Sequence, residues 1–249
     1  MSDETDCLGW RLKVGVVVPS TNTTVQPETD RCRLPGVTFH VGRIPIQEKK
    51  IDQSSFMDHV AAMRAGIETA SDQVMTAGVQ ALIMGVALEA FWGGLDGSAA
   101  LEAKLSERTG VPVILCSDAM RSALDAFGAK RIAVLTPHMP QGDEQVRAWF
   151  EEAGFEVAGL TGLQCASPRA IAYVPEARIR EELKALDGPE VDALVQVGTN
   201  LAGGAVCAEA ERRLGKPCLS INVVSAWRAL RRMGVSDRIA GVGRVFEEL

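Results

Sequence analysis

No apolar run in this 249-residue chain approaches the roughly 18 residues that a bilayer-spanning helix needs, which speaks against membrane partnership. The start, residues 1–6, is acidic and polar where a secretory leader would carry basic residues and an apolar stretch, so a cytoplasmic location is expected. Lys and Arg are scattered among acids and the net charge is −6, leaving no basic footprint for nucleic acid. The six cysteines, Cys7, Cys32, Cys116, Cys165, Cys207 and Cys218, include no C-x-x-C pair and no Cys/His group of metal-ligand spacing. Reduced core thiols and no metal are therefore expected. No strand-like run leads into G-x-G-x-x-G, so there is no dinucleotide fingerprint. No low-complexity linker divides the chain. What remains is an acidic sequence, 47% apolar, that can bury a substantial core and suits a small-molecule partner.

The chain repeats itself. The apolar run Val14–Pro19 returns as Ile132–Pro137, Ala81–Gly85 returns as Ala193–Gly198, and Arg108–Leu115 returns as Arg213–Ser220, in the same order and at similar spacing. Strands are expected near 12–18, 37–43, 79–84, 111–115, 131–136, 155–159, 192–197 and 217–221, with helices between them. In the longest helical stretch, 52–77, Phe56, Val60, Met63 and Ile67 share one face that would pack on a sheet. The pattern predicts an α/β fold of two pseudo-symmetric lobes, each a mostly parallel sheet flanked by helices, with a cleft between them. Residues 1–116 are expected to form the first lobe and 117–222 the second, with a C-terminal helix over 223–249 packing back on the first.

Ligands of open parallel sheets bind beyond the carboxyl ends of the strands, where backbone N–H groups point outward. The first such loop offers Ser20, Thr21, Asn22, Thr23 and Thr24, five uncharged donors in a row that suit a carboxylate, although the same residues make caps and Asx turns. The loops that begin at Gly85 and Gly198 each run on to a Gly-Gly pair, and their glycines allow close approach to an anion or simply tight turns. The Thr136–Pro140 loop carries His138, one of three histidines, a candidate general acid or base near neutral pH. In the Cys116-Ser117-Asp118 loop, Ser117 or Asp118 is expected to cap the next helix.

The Val18–Thr24 run, the Thr-Pro-x-Met at Thr136–Met139, the duplicated halves and the Glu211–Pro217 segment resemble the aspartate/glutamate racemase superfamily, and within it maleate cis-trans isomerase and arylmalonate decarboxylase. The resemblance implies a cofactor-independent enzyme whose lobes each supply a cysteine to a cleft holding a small mono- or dicarboxylate. Those two cysteine positions fall on Gly85 and Gly198, and the tyrosine that the isomerase and decarboxylase place after Thr-Pro falls on His138. Cys207 cannot substitute, being about two turns into the following helix. The resemblance assigns carboxylate binding to Asn22, with Ser20, Thr21 and Thr23 around it, and to backbone N–H groups of Val86, Ala87, Thr199 and Asn200 after the two glycines.

The expectation is thus an isomerase- or lyase-like enzyme acting beside the carboxylate of a small acid without cysteine, metal or nucleotide. His138 is the first choice for proton transfer and Glu89 the second, on the premise that Glu89 and Trp92 reach the cleft. A bound carboxylate should raise the His138 pKa. Thiol reagents should leave activity largely unchanged. The other readings are a non-catalytic carboxylate-binding protein and a hydrolase of a cyclic imide or lactone; a small carboxylate is the partner in the leading reading, and a homo-oligomer is compatible with all three.

Overall fold

The computed structural model describes residues 6–50, 52 and 54–249; the acidic start at 1–5 lies outside them. Strands β1 (Leu12–Pro19), β2 (Val37–Ile44), β3 (Ala81–Met84) and β4 (Val113–Leu115) form one sheet in the order β2-β1-β3-β4. Strands β5 (Arg131–Thr136), β6 (Glu156–Gly162), β7 (Ala193–Gln196) and β8 (Cys218–Ser220) form a second in the order β6-β5-β7-β8. The two orders are the same, and every pairing is parallel. Val14, Val16 and Val17 in β1, and Ile132, Val134 and Leu135 in β5, are wholly buried. Helices cover both faces of such strands, which is why they read as unbroken apolar runs and not as alternating ones.

The helices form where the apolar period predicts them. In α2 (Phe56–Met75) the buried residues are Phe56, Val60, Met63, Ile67, Ala70, Ser71 and Val74, one stripe at 3.6-residue spacing. The others of useful length are α4 (Gly94–Thr109), α5 (Cys116–Ala126), α6 (Pro140–Glu152), α8 (Glu176–Leu186), α9 (Gly204–Leu214) and α10 (Ile221–Arg232). Four short helices carry no readable period, having five or six residues each: α1 (Val25–Asp30), α3 (Ala87–Phe91), α7 (Pro168–Ala172) and α11 (Arg244–Glu248). The single C-terminal helix expected over 223–249 is corrected. α10 ends at Arg232, where Gly234 stops the apolar period, and only the five residues of α11 are helical beyond it.

Two features lock the halves together. α10, buried from Ile221 through Trp227, packs on α5, α1, β3 and β4. On another side Phe91 of α3 packs against Trp149 and Phe150 of α6, with ring centroids 5.2 and 5.3 Å apart. The Trp149 indole N–H donates to Ser98 Oγ at 2.7 Å, and Ser98 and Ser117 hydroxyls both donate to the Ala90 carbonyl. Ser117 therefore anchors α3 and does not cap α5, while Asp118 pairs with Arg121 at 2.7 Å. The result is a fixed frame around the loops that leave β1, β3, β5 and β7. Among the described residues no helix is long and apolar enough to cross a membrane.

Candidate active site

The carboxyl ends of the two sheets face a cleft of about 700 Å³. Its polar floor comes from Thr21 and Asn22 after β1 and from Gly198, Thr199 and Asn200 after β7. Its walls are apolar: Phe56 and Met63 from α2, Val86, Ala87 and Leu88 at the start of α3, Met139, and Pro168 and Ile171 of α7. No Lys or Arg is among the lining residues. An anion here must be held by dipoles and not by a paired cation.

Asn22 is wholly enclosed and its orientation is fixed. Its Oδ1 accepts the backbone N–H groups of Thr24 (3.0 Å) and Val25 (2.9 Å), an Asx turn that starts α1. The amide NH2 is thereby left toward the cleft, where its one protein contact is Thr199 Oγ1 at 3.4 Å. Thr199 spends its own hydroxyl proton on the Gly85 carbonyl at 2.9 Å. Arg43 of β2 donates to the Asn22 carbonyl at 2.8 Å and steadies the loop from behind. Asn200 joins the lobes: its Oδ1 accepts from Thr23 N, its Nδ2 donates to Pro168 O, and its carbonyl accepts from Thr24 Oγ1. Behind this clasp the buried Glu28 carboxylate accepts from Gly204 N and from Asn222 Nδ2, each at 2.7 Å, and Asn222 also donates to the Thr199 carbonyl. Burial raises the Glu28 pKa against the lowering effect of those two donors.

Neither glycine position has room for a side chain. A Cβ on Gly85 would lie 2.7 Å from Val18 Cγ1 and 2.9 Å from the Val17 carbonyl. One on Gly198 would collide with the Pro137 ring, and Gly198 holds φ 103°, which side-chain-bearing residues rarely adopt. The cleft floor is built around bare backbone.

Two histidines line the cleft from opposite halves, His138 after β5 and His59 on α2. The His138 backbone is held at both ends, its N–H by Thr136 Oγ1 and its carbonyl by Gln164 N. Thr136 Oγ1 in turn donates to Asp143 Oδ1. His138 Nε2 is buried with no hydrogen-bond partner among the described residues. Burial, and secondarily His59, pushes the His138 pKa down to about 4, so the ring is neutral near pH 7. The raised value expected for a carboxylate complex therefore starts from a lowered one. Burial likewise lowers His59, with Glu48 opposing it, and burial pushes Asp143 up to about 6.

Several sequence expectations are redistributed. Thr21, Asn22, Val86, Ala87, His138, Gly198, Thr199 and Asn200 come together in the cleft, whereas Gly85 contributes only its carbonyl, to Thr199. Ser20 is exposed and exchanges hydrogen bonds with the Ile46 backbone, and Thr23 is exposed beside it. Glu89 and Trp92 do not line the cleft. Helix α3 turns about 100° per residue, so Ala87 and Leu88 take the cleft side and Glu89 is carried round to Arg64, whose Nε donates to its Oε2 at 2.8 Å. Trp92 lies under Arg64, 5.2 Å from Cζ to ring centroid, and against Phe56. Cys207 is buried as expected, and hydrogen bonding to Cys218, with burial, pushes its thiol well up.

Cys165 is the thiol misjudged from sequence: it is half-buried and lines the cleft. It follows Gln164, whose φ of 49° lies in the left-handed region, and its own N–H donates to the Pro137 carbonyl. That loop crosses from β6 to lie against the His138 loop, a tertiary pairing with no local signal. Cys7 is exposed, so four of the six cysteines are core. His59 also escaped the sequence reading, since its place beside the Phe56–Val60–Met63 stripe reads as ordinary helix surface.

Similarity to known proteins follows the same geometry. The family model for arylmalonate decarboxylase matches residues 14–246. Maleate isomerase of Nocardia farcinica is 27% identical over 244 residues, 95% of this chain and 96% of its own. Arylmalonate decarboxylase of Bordetella bronchiseptica is 30% identical over 169 residues, 67% of this chain and 70% of its own. The solved Nocardia farcinica maleate cis-trans isomerase bound to TRIS superposes with a TM-score of 0.86 at 25% identity, covering 95% of this chain and 98% of that one. A cysteine-to-serine variant of the same isomerase, with a covalently bound succinylcysteine intermediate, gives 0.86 at 26% identity over 96% and 99%. The match runs from the first strand to the last helix and includes the loops that build the cleft, and on that basis the chain belongs to the arylmalonate decarboxylase family.

Proposed function

We propose that this protein is a cofactor-independent enzyme that forms an enediolate beside the carboxylate of a small acid bearing an apolar substituent, with His138 as its proton carrier. The carrying observation is a single cleft in which a neutral oxyanion frame, an apolar wall and a buried histidine without a partner converge. The named relatives, an isomerase and a decarboxylase, support reaction beside a carboxylate.

In this reading the substrate carboxylate accepts from Asn22 Nδ2 and from the backbone N–H groups of the Gly198 and Gly85 loops. Neutral His138 removes the proton on the adjacent carbon; the C–H electron pair passes into the carboxylate, making an enediolate whose second negative oxygen the same donors stabilise. The imidazolium then returns a proton to the same face of the carbon, so that the α-proton exchanges with retention of configuration. With a malonate, breakage of the C–C bond to the departing CO2 delivers the electron pair to the same enediolate, and a His138 that took up a solvent proton on binding of the dianion, whose charge favours imidazolium, delivers that proton to carbon. Gly85 and Gly198 put no thiol on the cleft floor after β3 and β7.

The wall decides the substrate class. Burying roughly 100 Å² of aryl surface is worth about 2.5 kcal/mol at 25 cal/mol per Å², so phenylmalonate is expected to bind about 70-fold more tightly than malonate. A thermal-shift series with phenylmalonate, 2-phenylpropionate, malonate and maleate measures this. NMR in D2O then follows CO2 loss from phenylmalonate and α-proton exchange in 2-phenylpropionate. Binding without turnover would point to a carboxylate-binding protein, and absence of both would overturn the reading.

The thiol expectation changes accordingly. Iodoacetamide should modify Cys165 slowly, because burial raises its pKa and the thiolate is the reactive form. The adduct would fill the cleft and inactivate by obstruction. Phenylmalonate should protect, and Cys165→Ser should stay active while losing sensitivity to the reagent. Mass spectrometry of the modified peptide checks the site; loss of turnover in Cys165→Ser would instead give that thiol a chemical role.

A further inference from the structure

Behind the cleft floor lies a buried polar cluster that the sheet itself does not require. Gln196, the last residue of β7, is wholly buried beside Ser220, the last residue of β8. Its Oε1 accepts from Ser220 Oγ at 2.9 Å, and its Nε2 donates to the carbonyls of Val197 at 2.9 Å and Gly198 at 3.0 Å. With two carbonyls on one side and a hydroxyl on the other, the amide has only this orientation. The first sheet, of the same strand order, puts Met84 beside Leu115 at the matching place. An apolar pair therefore suffices there for the sheet, and the buried amide of the second half calls for another reason.

The Gly-Gly pair after β7 belongs to the same cluster. A Cβ on Gly203 would collide with Gln196 Oε1, and one on Gly204 would lie 2.9 Å from Glu28 Oε1. The bare glycines leave room for two side chains that reach the loop from behind. Glu28 Oε2 accepts from one N–H of the Asn222 amide at 2.7 Å, and the other N–H reaches the Thr199 carbonyl at 2.9 Å. The carbonyls of Gly198 and Thr199 are thus each held by a buried side-chain amide, and Leu201 N closes the turn on the same Gly198 carbonyl. Each carbonyl shares a peptide plane with the next N–H, those of Thr199 and Asn200, which make no hydrogen bond among the described residues. A donor on the carbonyl fixes that plane and polarises its N–H.

We propose that Gln196 and Asn222 are positioning residues that aim and polarise the Thr199 and Asn200 N–H groups toward the enediolate. The proposal rests on the enediolate reading of the cleft and adds to it the residues that preorganise the donors of the second half. Neither amide lines the cleft; each acts through a peptide unit. Their support matters most as the second negative oxygen develops, because the initial carboxylate is also held by Asn22 and the Gly85 loop.

Gln196→Met, which gives the second sheet the residue type that the first carries at Met84, removes both donations and keeps the length. In the intact protein, turnover of phenylmalonate or 2-phenylpropionate, whichever the parent consumes faster, should fall at least about tenfold in kcat, less than the loss of a direct donor. KM, and phenylmalonate affinity by calorimetry, should change less than about threefold. Gln196→Glu tests donation itself. Its carboxyl donates only when protonated, so its turnover should exceed that of Gln196→Met by a factor that grows as pH falls. Near-parent kcat in Gln196→Met, a change confined to KM, or a Gln196→Glu no faster than Gln196→Met at any pH would each overturn the positioning role. Should Gln196→Met fail to fold, Ser220→Ala, which removes only the donor that orients the amide, should lower kcat several-fold at the parent KM, and an unchanged kcat would overturn it. A parent that neither binds nor consumes either acid sinks the enediolate reading instead, and the positioning role with it.

Discussion

His138→Gln is expected to lower turnover of the acid identified in the screen by roughly 100-fold or more, the usual loss when a general acid or base is removed. Glutamine keeps much of the size and hydrogen bonding of the ring, and the backbone bonds to Thr136 and Gln164 that place the loop do not depend on the side chain. The variant should therefore fold and still bind ligand. The pH profile gives the sharper signature. Burial holds the free His138 at about 4, so the neutral base is available above that value and is lost as pH falls through it. For α-proton exchange, which needs the neutral base, the profile of kcat/KM, which reports the free enzyme, should have its acid limb near 4 and not near the ordinary histidine value of about 6.5. The profile of kcat should have that limb higher, because the bound carboxylate favours imidazolium.

Other titrating groups near the ring must be separated from it. Asp143, joined to the loop through Thr136 and pushed up to about 6, would put a limb at that value, and Asp143→Asn would remove it. His59 faces the same cleft, with Glu48 and Asp58 near it on the outer side. If His138→Gln keeps near-parent turnover and the same profile, proton transfer does not pass through His138, and His59 becomes the group to replace.

Loss of the Asn22 amide donor should be of similar size, about 100-fold to 1000-fold in rate, with ligand affinity falling as well. The structure also shows why alanine is an impure test. Asn22 Oδ1 starts α1 by accepting from Thr24 N and Val25 N, so Asn22→Ala removes that turn too and should cost about 1 kcal/mol of stability. Asn22→Asp retains an acceptor for both N–H groups, replaces the donating NH2 with a second acceptor oxygen, and sets a negative charge against the substrate. Little change in melting temperature together with undetectable carboxylate binding by calorimetry is the expected pair of results for Asn22→Asp. Unchanged affinity in either variant would remove the first loop from the binding frame.

Much of the fold is legible because the signals that set it are local. All eight strands lie within a few residues of where their apolar runs place them, and both sheets share one order because the two halves repeat one pattern of strand and turn. Asn22, Thr199 and the Gly198 backbone were also readable, since a loop that follows a parallel strand must open toward the ligand side. Side-chain direction inside a loop is not so constrained. Ser20, two residues before Asn22, turns instead to the Ile46 backbone, and one further step round the first turn of α3 takes Glu89 out of the cleft.

From its sequence alone the chain determined two parallel sheets, a cleft at their carboxyl ends, polar donors after β1 and bare glycines after β3 and β7, because apolar period and turn chemistry act between neighbours along the chain. Only the tertiary structure decided which side chains meet there. Cys165 enters because the loop after β6 pairs with Pro137 and His138, His59 because α2 crosses the cleft mouth, and the lowered pKa of His138 because packing around it buries Nε2. Those contacts join residues that are far apart in sequence, and burial, which sets the charge of an imidazole or a carboxyl, is a property of the assembled surroundings and not of the residue.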